Sequence, residues 1–368
     1  MKENQKSFVF YFILLGITLM LGVFFVYSAL YAMEDAKGFD PDRKLTMYII
    51  SMGIGFIGGS IAFIFGNKLI KIPIFMISMY TIMLGALFAV MFTSPIAGVR
   101  RWITLAGFQF QPSELAKFLL PAFLIFYYDF IRDSKETIFK NILVPIFISL
   151  PVILLIMQEP DLSTAIIVSF IAFLTMLISI RNKKLIVILL IIAIIFGITA
   201  IYFKDILLTD YQLKRLDKED NFQTLQSLNA IKSGGLFGKT PFAGDFKYMV
   251  PESYSDFIMS IIGEEWGKVG IIIVLTLFYF LSRELIMMSY KTKSYIAFSF
   301  STIIAIWLFI QVTINALVGL GVPGVPVTGV TLPLMSYGNS SLIITLTSIG
   351  LSLGLIYFNS GGKSNEKN

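Results

Sequence analysis

The 368-residue sequence has no cysteine and no histidine, and only 14% of it is charged. Without cysteine there is no disulfide and no thiol nucleophile. Without histidine, Ser-His-Asp triads, imidazole bases and histidine-ligated metals are excluded together. Acid or base chemistry must fall to Asp, Glu, Lys or Tyr. The scarcity of charge, beside 56% hydrophobic residues and a mean hydropathy of +0.81, also excludes a soluble domain, because repeated apolar runs of about twenty residues are membrane spans. The net charge of +6 is spread over loops rather than gathered in a basic block. No nucleic-acid partner is expected, and the positive-inside effect accounts for the charge instead.

These features predict an all-α polytopic integral membrane protein, a single membrane domain over 1–368. Apolar length marks about ten transmembrane helices, near 8–31, 46–66, 72–92, 113–131, 142–158, 161–180, 185–203, 257–281, 295–320 and 335–358. The first is too long for a cleavable signal and is followed by further spans. With the N-terminus inside, the short inner connections and termini carry fifteen Lys and Arg residues. The short outer ones carry five: Lys37, Arg43, Lys44, Arg100 and Arg101. That bias sets both termini in the cytoplasm, with 359–368 as a short cytoplasmic tail. A large extracellular loop, 204–255, then lies between spans 7 and 8. Its apolar, Gly-punctuated middle, LQSLNAIKSGGLFGKTPF, argues for an ordered loop with a function. The chemistry is expected on the outer face.

Five groups on that face stand out. The stretch MVPESYSDFIMSIIGEEWGKVG places Glu252, Asp256, Glu264 and Glu265 where loop meets hydrocarbon, a setting in which desolvation can make a carboxylate a usable base. Arg100 and Arg101 precede Gln111-Pro112, which opens a helix bearing Glu114 and Lys117 three residues apart and so on one face. That pair is open to two readings, an internal ion pair or a substrate contact, and the arginines to an anion-binding role. In Gln158-Glu159-Pro160-Asp161, Asp161 suits a helix cap. A cap contributes about 0.5–2 kcal/mol, less than the roughly 2.5–3.5 kcal/mol cost of an intramembrane carboxylate, so a place in a polar cavity is also open. In the long loop, Lys214, Arg215, Lys232, Lys239 and Lys247, with Gly234, Gly235 and Gly238, could receive phosphate or be solvated charge. Finally, Gln311 and Asn315 share a face of the ninth span. Pro323, Pro326 and Pro333 make the following segment, with Ser336 and Tyr337, irregular backbone at membrane depth, which needs protein or a cavity beside it.

GVRRWITLAGFQFQPSELAK, QEPDLSTA, SGGLFGK, PESYSDFIMSIIGEEWG and PVTGVTLPLMSYGNSS, in this order, closely resemble the SEDS family (RodA/FtsW/SpoVE). The resemblance covers nearly the whole chain. It implies ten spans and a peptidoglycan glycosyltransferase of the bacterial cytoplasmic membrane that polymerises lipid II, an undecaprenyl-pyrophosphate substrate, into β-1,4 glycan strands at the outer face. The implied partner is a class B penicillin-binding protein that supplies the transpeptidase. The family's essential loop aspartate falls on Asp256, its glutamate and lysine on Glu114 and Lys117, its paired arginines on Arg100 and Arg101, and its QPDLG aspartate on Asp161. Glu264 and Glu265 then read as framework. Arg100, Arg101 and Lys117 would counter charge on the departing pyrophosphate. A divalent cation, Mg or Mn, could share that task, although no ligand set is evident. Ser163 and Asn339 stand where the family carries glycine, and the interval from Asn315 to the PVTG motif is longer. The FVYSAL end of the first span and the acidic loop after it look more like FtsW or SpoVE than RodA. A lipid II flippase, as a transporter with many spans and a polar cavity, is the alternative.

Overall fold

A computed structural model describes residues 2–33, 39–96, 98–105, 108–203, 222–322 and 329–360. The described residues are mostly helical. Its long helices are α1 (Lys2–Tyr31), α2 (Pro41–Leu69), α3 (Pro73–Val90), α4 (Pro112–Phe130), α5 (Val144–Gln158), α6 (Leu162–Ser179) and α7 (Lys183–Tyr202). A loop helix, α8 (Phe222–Gly234), and a short helix, α9 (Ile258–Glu265), precede α10 (Gly267–Tyr290), α11 (Tyr295–Gly319) and α12 (Asn339–Ser360). Eight of these segments are long and apolar enough to cross a membrane on length and composition, and α4 and α7 bring the long helices of the bundle to ten.

Local chemistry sets the starts of several helices. Asp40 caps α2 by accepting from the Arg43 amide, with Pro41 at the first position where a missing donor costs nothing. Pro112 opens α4 in the same way, and Asp161 and Ser294 cap α6 and α11 through the Thr164 and Ala297 amides. A single turn of π-helix, Phe139–Leu143, leads into α5. Ahead of α4, a two-stranded antiparallel hairpin pairs β1 (Ile103–Leu105) with β2 (Phe108–Phe110).

The core runs through α11 and α12, which are far more buried than α2 or α3. Tyr48 of α2 reaches across to donate to the Leu334 carbonyl. The starts of α2, α4, α6 and α12, the end of α11 and all of α9 meet at one end of the bundle, which we term the loop end.

Two expectations need correction. The eighth span is not one helix from residue 257. It breaks at Gly267, whose φ is +67°, into α9 and α10. The cause is tertiary: the long loop runs across the break, with Lys268 and Val269 amides donating to the Gly235 and Leu236 carbonyls and the Lys239 amide to Glu264 O. A β-carbon at Gly267 would collide with that loop backbone, so glycine fits both the turn and the approach. The tenth span likewise begins at Asn339, and 329–338 is irregular. Within the long loop, 222–249 is built on α8. Lys214, Arg215, Pro323, Pro326, the acidic stretch after α1 and the tail from 361 lie outside the described residues.

Candidate active site

Asp256 sits half-buried in the turn that leads into α9. The turn is fixed from three sides. Within it, the amides of Ser255 and Phe257 donate to the Glu252 carbonyl at 3.0 and 3.3 Å. From α11, Asn315 Nδ2 donates both to Asp256 O at 2.8 Å and to Val330 O at 2.7 Å. From the irregular segment, the Tyr337 amide donates to Tyr254 O at 2.8 Å. The Asp256 carboxylate lies against that segment, since a β-carbon on Gly329 would stand 3.0 Å from Oδ2. Burial, reinforced by Glu252, pushes the Tyr254 phenol far above its ordinary range, and burial raises Tyr337 as well. Both phenols therefore keep their protons near neutrality, which leaves the carboxylates as bases.

A second polar group lies deeper. Lys117 Nζ contacts Glu114 Oε1 at 2.6 Å and Gln311 Oε1 at 3.3 Å, 5.4 Å above the centre of the Trp307 ring. Trp307 Nε1 donates to the same Gln311 oxygen at 2.6 Å, and Gln311 Nε2 to Thr331 O at 2.9 Å. Lys117 is 1% exposed and Glu114 7%. The α4 charges thus form an internal pair, and Gln311 ties it to the irregular segment. Gln311 and Asn315, one turn apart on α11, hold Thr331 and Val330 respectively, so α11 spaces the deep pair from the Asp256 turn. Ser336 folds back onto Leu332 O at 3.0 Å within that segment.

A third group surrounds the α5–α6 turn. Arg101 donates to the Glu159 carbonyl at 3.0 Å and to the Pro160 carbonyl, so its guanidinium grips backbone. Arg100, by contrast, is exposed and donates to Met91 O at 2.8 Å. Asp161 accepts from the Thr164 amide and hydroxyl and from Gln111 Nε2 at 2.9 Å, while the Gln111 amide donates to Ser340 Oγ at 2.8 Å. The cap and the polar cluster are therefore the same residue. Glu159 beside it is buried, and neither carboxylate oxygen has a well-formed hydrogen bond. Burial, then Asp161, drives its pKa up to about 9 against the opposing pull of Ser113 and Arg101.

Lys239 is engaged elsewhere, with Asp245 at 2.9 Å and Glu264 at 3.5 Å. Glu264 also accepts the Asp245 and Phe246 amides at 2.9 and 3.0 Å, and Glu265 accepts from Ser28. These two glutamates hold the loop to α9 and α1. Among the described residues no group of three or more Asp and Glu side chains could hold a metal ion by itself. Lys44, at the start of α2, enters the site without having been singled out from the sequence: its Nζ lies over the rings of Phe39, Tyr254 and Tyr337. The available signal was a basic pair on the face where the positive-inside rule expects few.

The family model described as a cell cycle protein, FtsW/RodA/SpoVE, matches residues 8–360. The chain belongs to this family. It is similar to the probable peptidoglycan glycosyltransferase FtsW of Geobacter sp. strain M18, at 30% identity over 91% of this chain and 92% of that protein. The Bacillus subtilis protein of the same description is 32% identical over 72% of this chain and 68% of its own. The crystal structure of Thermus thermophilus rod shape determining protein RodA superposes with a TM-score of 0.67 at 27% identity, covering 95% of this chain and 96% of that one. A chain of a peptidoglycan synthase complex that coordinates polymerization and crosslinking reaches 0.75 at 26% identity, covering 95% and 97%. In this chain the broken eighth span and the irregular segment before the last helix bring Asp256, Asn315 and Tyr337 to one place.

Proposed function

We infer that this chain is a peptidoglycan glycosyltransferase that joins lipid II units into β-1,4 glycan, with Asp256 as its general base. The observation that carries this reading is the Asp256 turn itself: a half-buried carboxylate on a turn whose backbone is clamped by Asn315 and Tyr337 at the loop end, in a member of the FtsW/RodA/SpoVE family. The acceptor sugar's 4-hydroxyl attacks the donor's anomeric carbon as Asp256 takes its proton. The new C–O bond forms with inversion, the bond to the diphosphate breaks, and undecaprenyl pyrophosphate departs with the electron pair. The half-open position lets a sugar approach while the irregular segment forms one wall.

The deep Glu114–Lys117 pair supports this wall through Gln311, which bonds both Lys117 and the Thr331 carbonyl. The Arg101 grip on 159–160 and the Asp161–Gln111 bond fix the other wall, and Arg100, exposed beside its bond to the Met91 carbonyl, faces solvent where it can meet phosphate. Mg or Mn in this site would be held by Asp256 or Glu252 together with diphosphate oxygens, the usual manner for Mg, and would supply charge neutralisation. The reading places the loop end outside the bacterial cytoplasmic membrane with both termini in the cytoplasm, in keeping with the Lys and Arg bias. The partner is a class B penicillin-binding protein, and the FtsW description of the similar relatives favours a role in division over elongation.

Purified protein in detergent, given lipid II and a class B penicillin-binding protein, is expected to produce glycan chains. Transbilayer movement of lipid II in vesicles, with no polymer under either condition, would instead support the flippase.

A further inference from the structure

The cations of the loop end are mostly committed. Arg101 is spent on two backbone carbonyls, Lys117 on Glu114 and Gln311, and Lys239 on Asp245 and Glu264. Lys44 differs. Among the described residues no carboxylate comes within ion-pair distance of it, and Glu252 acts on its charge only from farther away. Its ammonium is 4.6 Å from the Tyr254 ring centre, 4.9 Å from Tyr337 and 5.2 Å from Phe39, and 3.4 Å from the Tyr254 hydroxyl.

Two physical biases act against a cation here. It lies in the first turn of α2, where the helix dipole disfavours positive charge, and by the topology of the proposed function it sits on the outer face, where the positive-inside rule expects few. Three aromatic faces offset this by cation–π attraction, which holds an ammonium without neutralising it. The charge is held over Tyr254, which lies two residues before Asp256 in the same turn. Resting on the glycosyltransferase reading, we propose that Lys44 is a substrate-binding cation of the Asp256 site that contacts a diphosphate of the lipid-linked substrate, presented by the Phe39, Tyr254 and Tyr337 rings.

The test uses the full chain in nanodiscs and two probes, undecaprenyl pyrophosphate and uncharged undecaprenol, with Lys44→Gln and Lys44→Arg as variants. Lys44→Gln is expected to weaken undecaprenyl pyrophosphate binding tenfold or more, with undecaprenol binding and thermal midpoint unchanged, while Lys44→Arg, which keeps the charge, stays within threefold of wild type. Binding of undecaprenyl pyrophosphate by Lys44→Gln within twofold of wild type overturns the proposal. So does an equal loss for both probes, the mark of a residue that only clamps Tyr254 to α2. Lipid II polymerisation by the wild type is measured in the same preparation with the class B penicillin-binding protein added. Its absence would count against the glycosyltransferase reading, whereas polymer formation with unaltered Lys44→Gln binding would remove only Lys44.

Discussion

The deep Glu114–Lys117 pair and the Asp256 turn lie on either side of the same irregular segment, yet they are built in opposite ways. The first is charge inside the bundle, carried on a regular helix, with Gln311 and Trp307 completing its contacts. The second is charge at the edge, carried on a turn whose backbone, rather than its carboxylate, is pinned by Asn315. Buried paired charge is expensive to break and poorly placed to meet substrate; half-buried charge on a fixed turn stands within its reach. The contrast assigns support to one cluster and chemistry to the other, although in the sequence both read as charge at the start of an apolar run.

Removing one partner of the deep pair should therefore have the largest effect on stability. Lys117→Met is expected to cost about 3–5 kcal/mol by leaving Glu114 buried and uncompensated, read as a lowered thermal midpoint in detergent. Adding Glu114→Gln should recover much of it; no recovery would mean that the charges are not coupled. Asn315→Ala should be milder for the fold, about 1–3 kcal/mol for the carbonyls left unpaired, but should slow polymerisation more than it destabilises, because it frees the Asp256 turn. Equal melting and rate losses in Lys117→Met and Asn315→Ala would erase the distinction drawn here.

Glu159 gives the smallest effect on polymerisation and a pH signature in stability. Its folded pKa of about 9 lies above the ordinary carboxylate value, so the folded state holds a proton that the unfolded state has released. Stability from this group should fall as pH rises from the ordinary carboxylate range to about 9 and level off beyond it, by at most about 1.4 kcal/mol per pH unit. Glu159→Gln should flatten that dependence in a pH series of melting curves, with little change in polymerisation. An unchanged slope would show that Glu159 is ionised in the fold.

Much of this was legible in the residues. The ten apolar runs, the junction that holds Asp256 and the i,i+3 spacing of Glu114 and Lys117 depend on local composition and helix geometry. The framework role of Glu264 and Glu265 followed once the resemblance singled out Asp256. What was not legible depends on contacts between distant segments. The break at Gly267 arises from loop backbone some thirty residues earlier, and a hydropathy window cannot see it. Arg101 is turned toward carbonyls 58 and 59 residues away, so an anion-binding role that its charge left open is occupied by backbone. Lys44 was read as topological charge because its aromatic partners come from three separate stretches, around residues 39, 254 and 337.

The most direct measurement is the turnover of lipid II by purified Asp256→Asn at saturating substrate, beside its thermal midpoint. A general base contributes about 10²–10⁴-fold, so polymerisation should fall at least a hundredfold while the midpoint stays near wild type. A rate within threefold of wild type would contradict the assignment of Asp256 as the base.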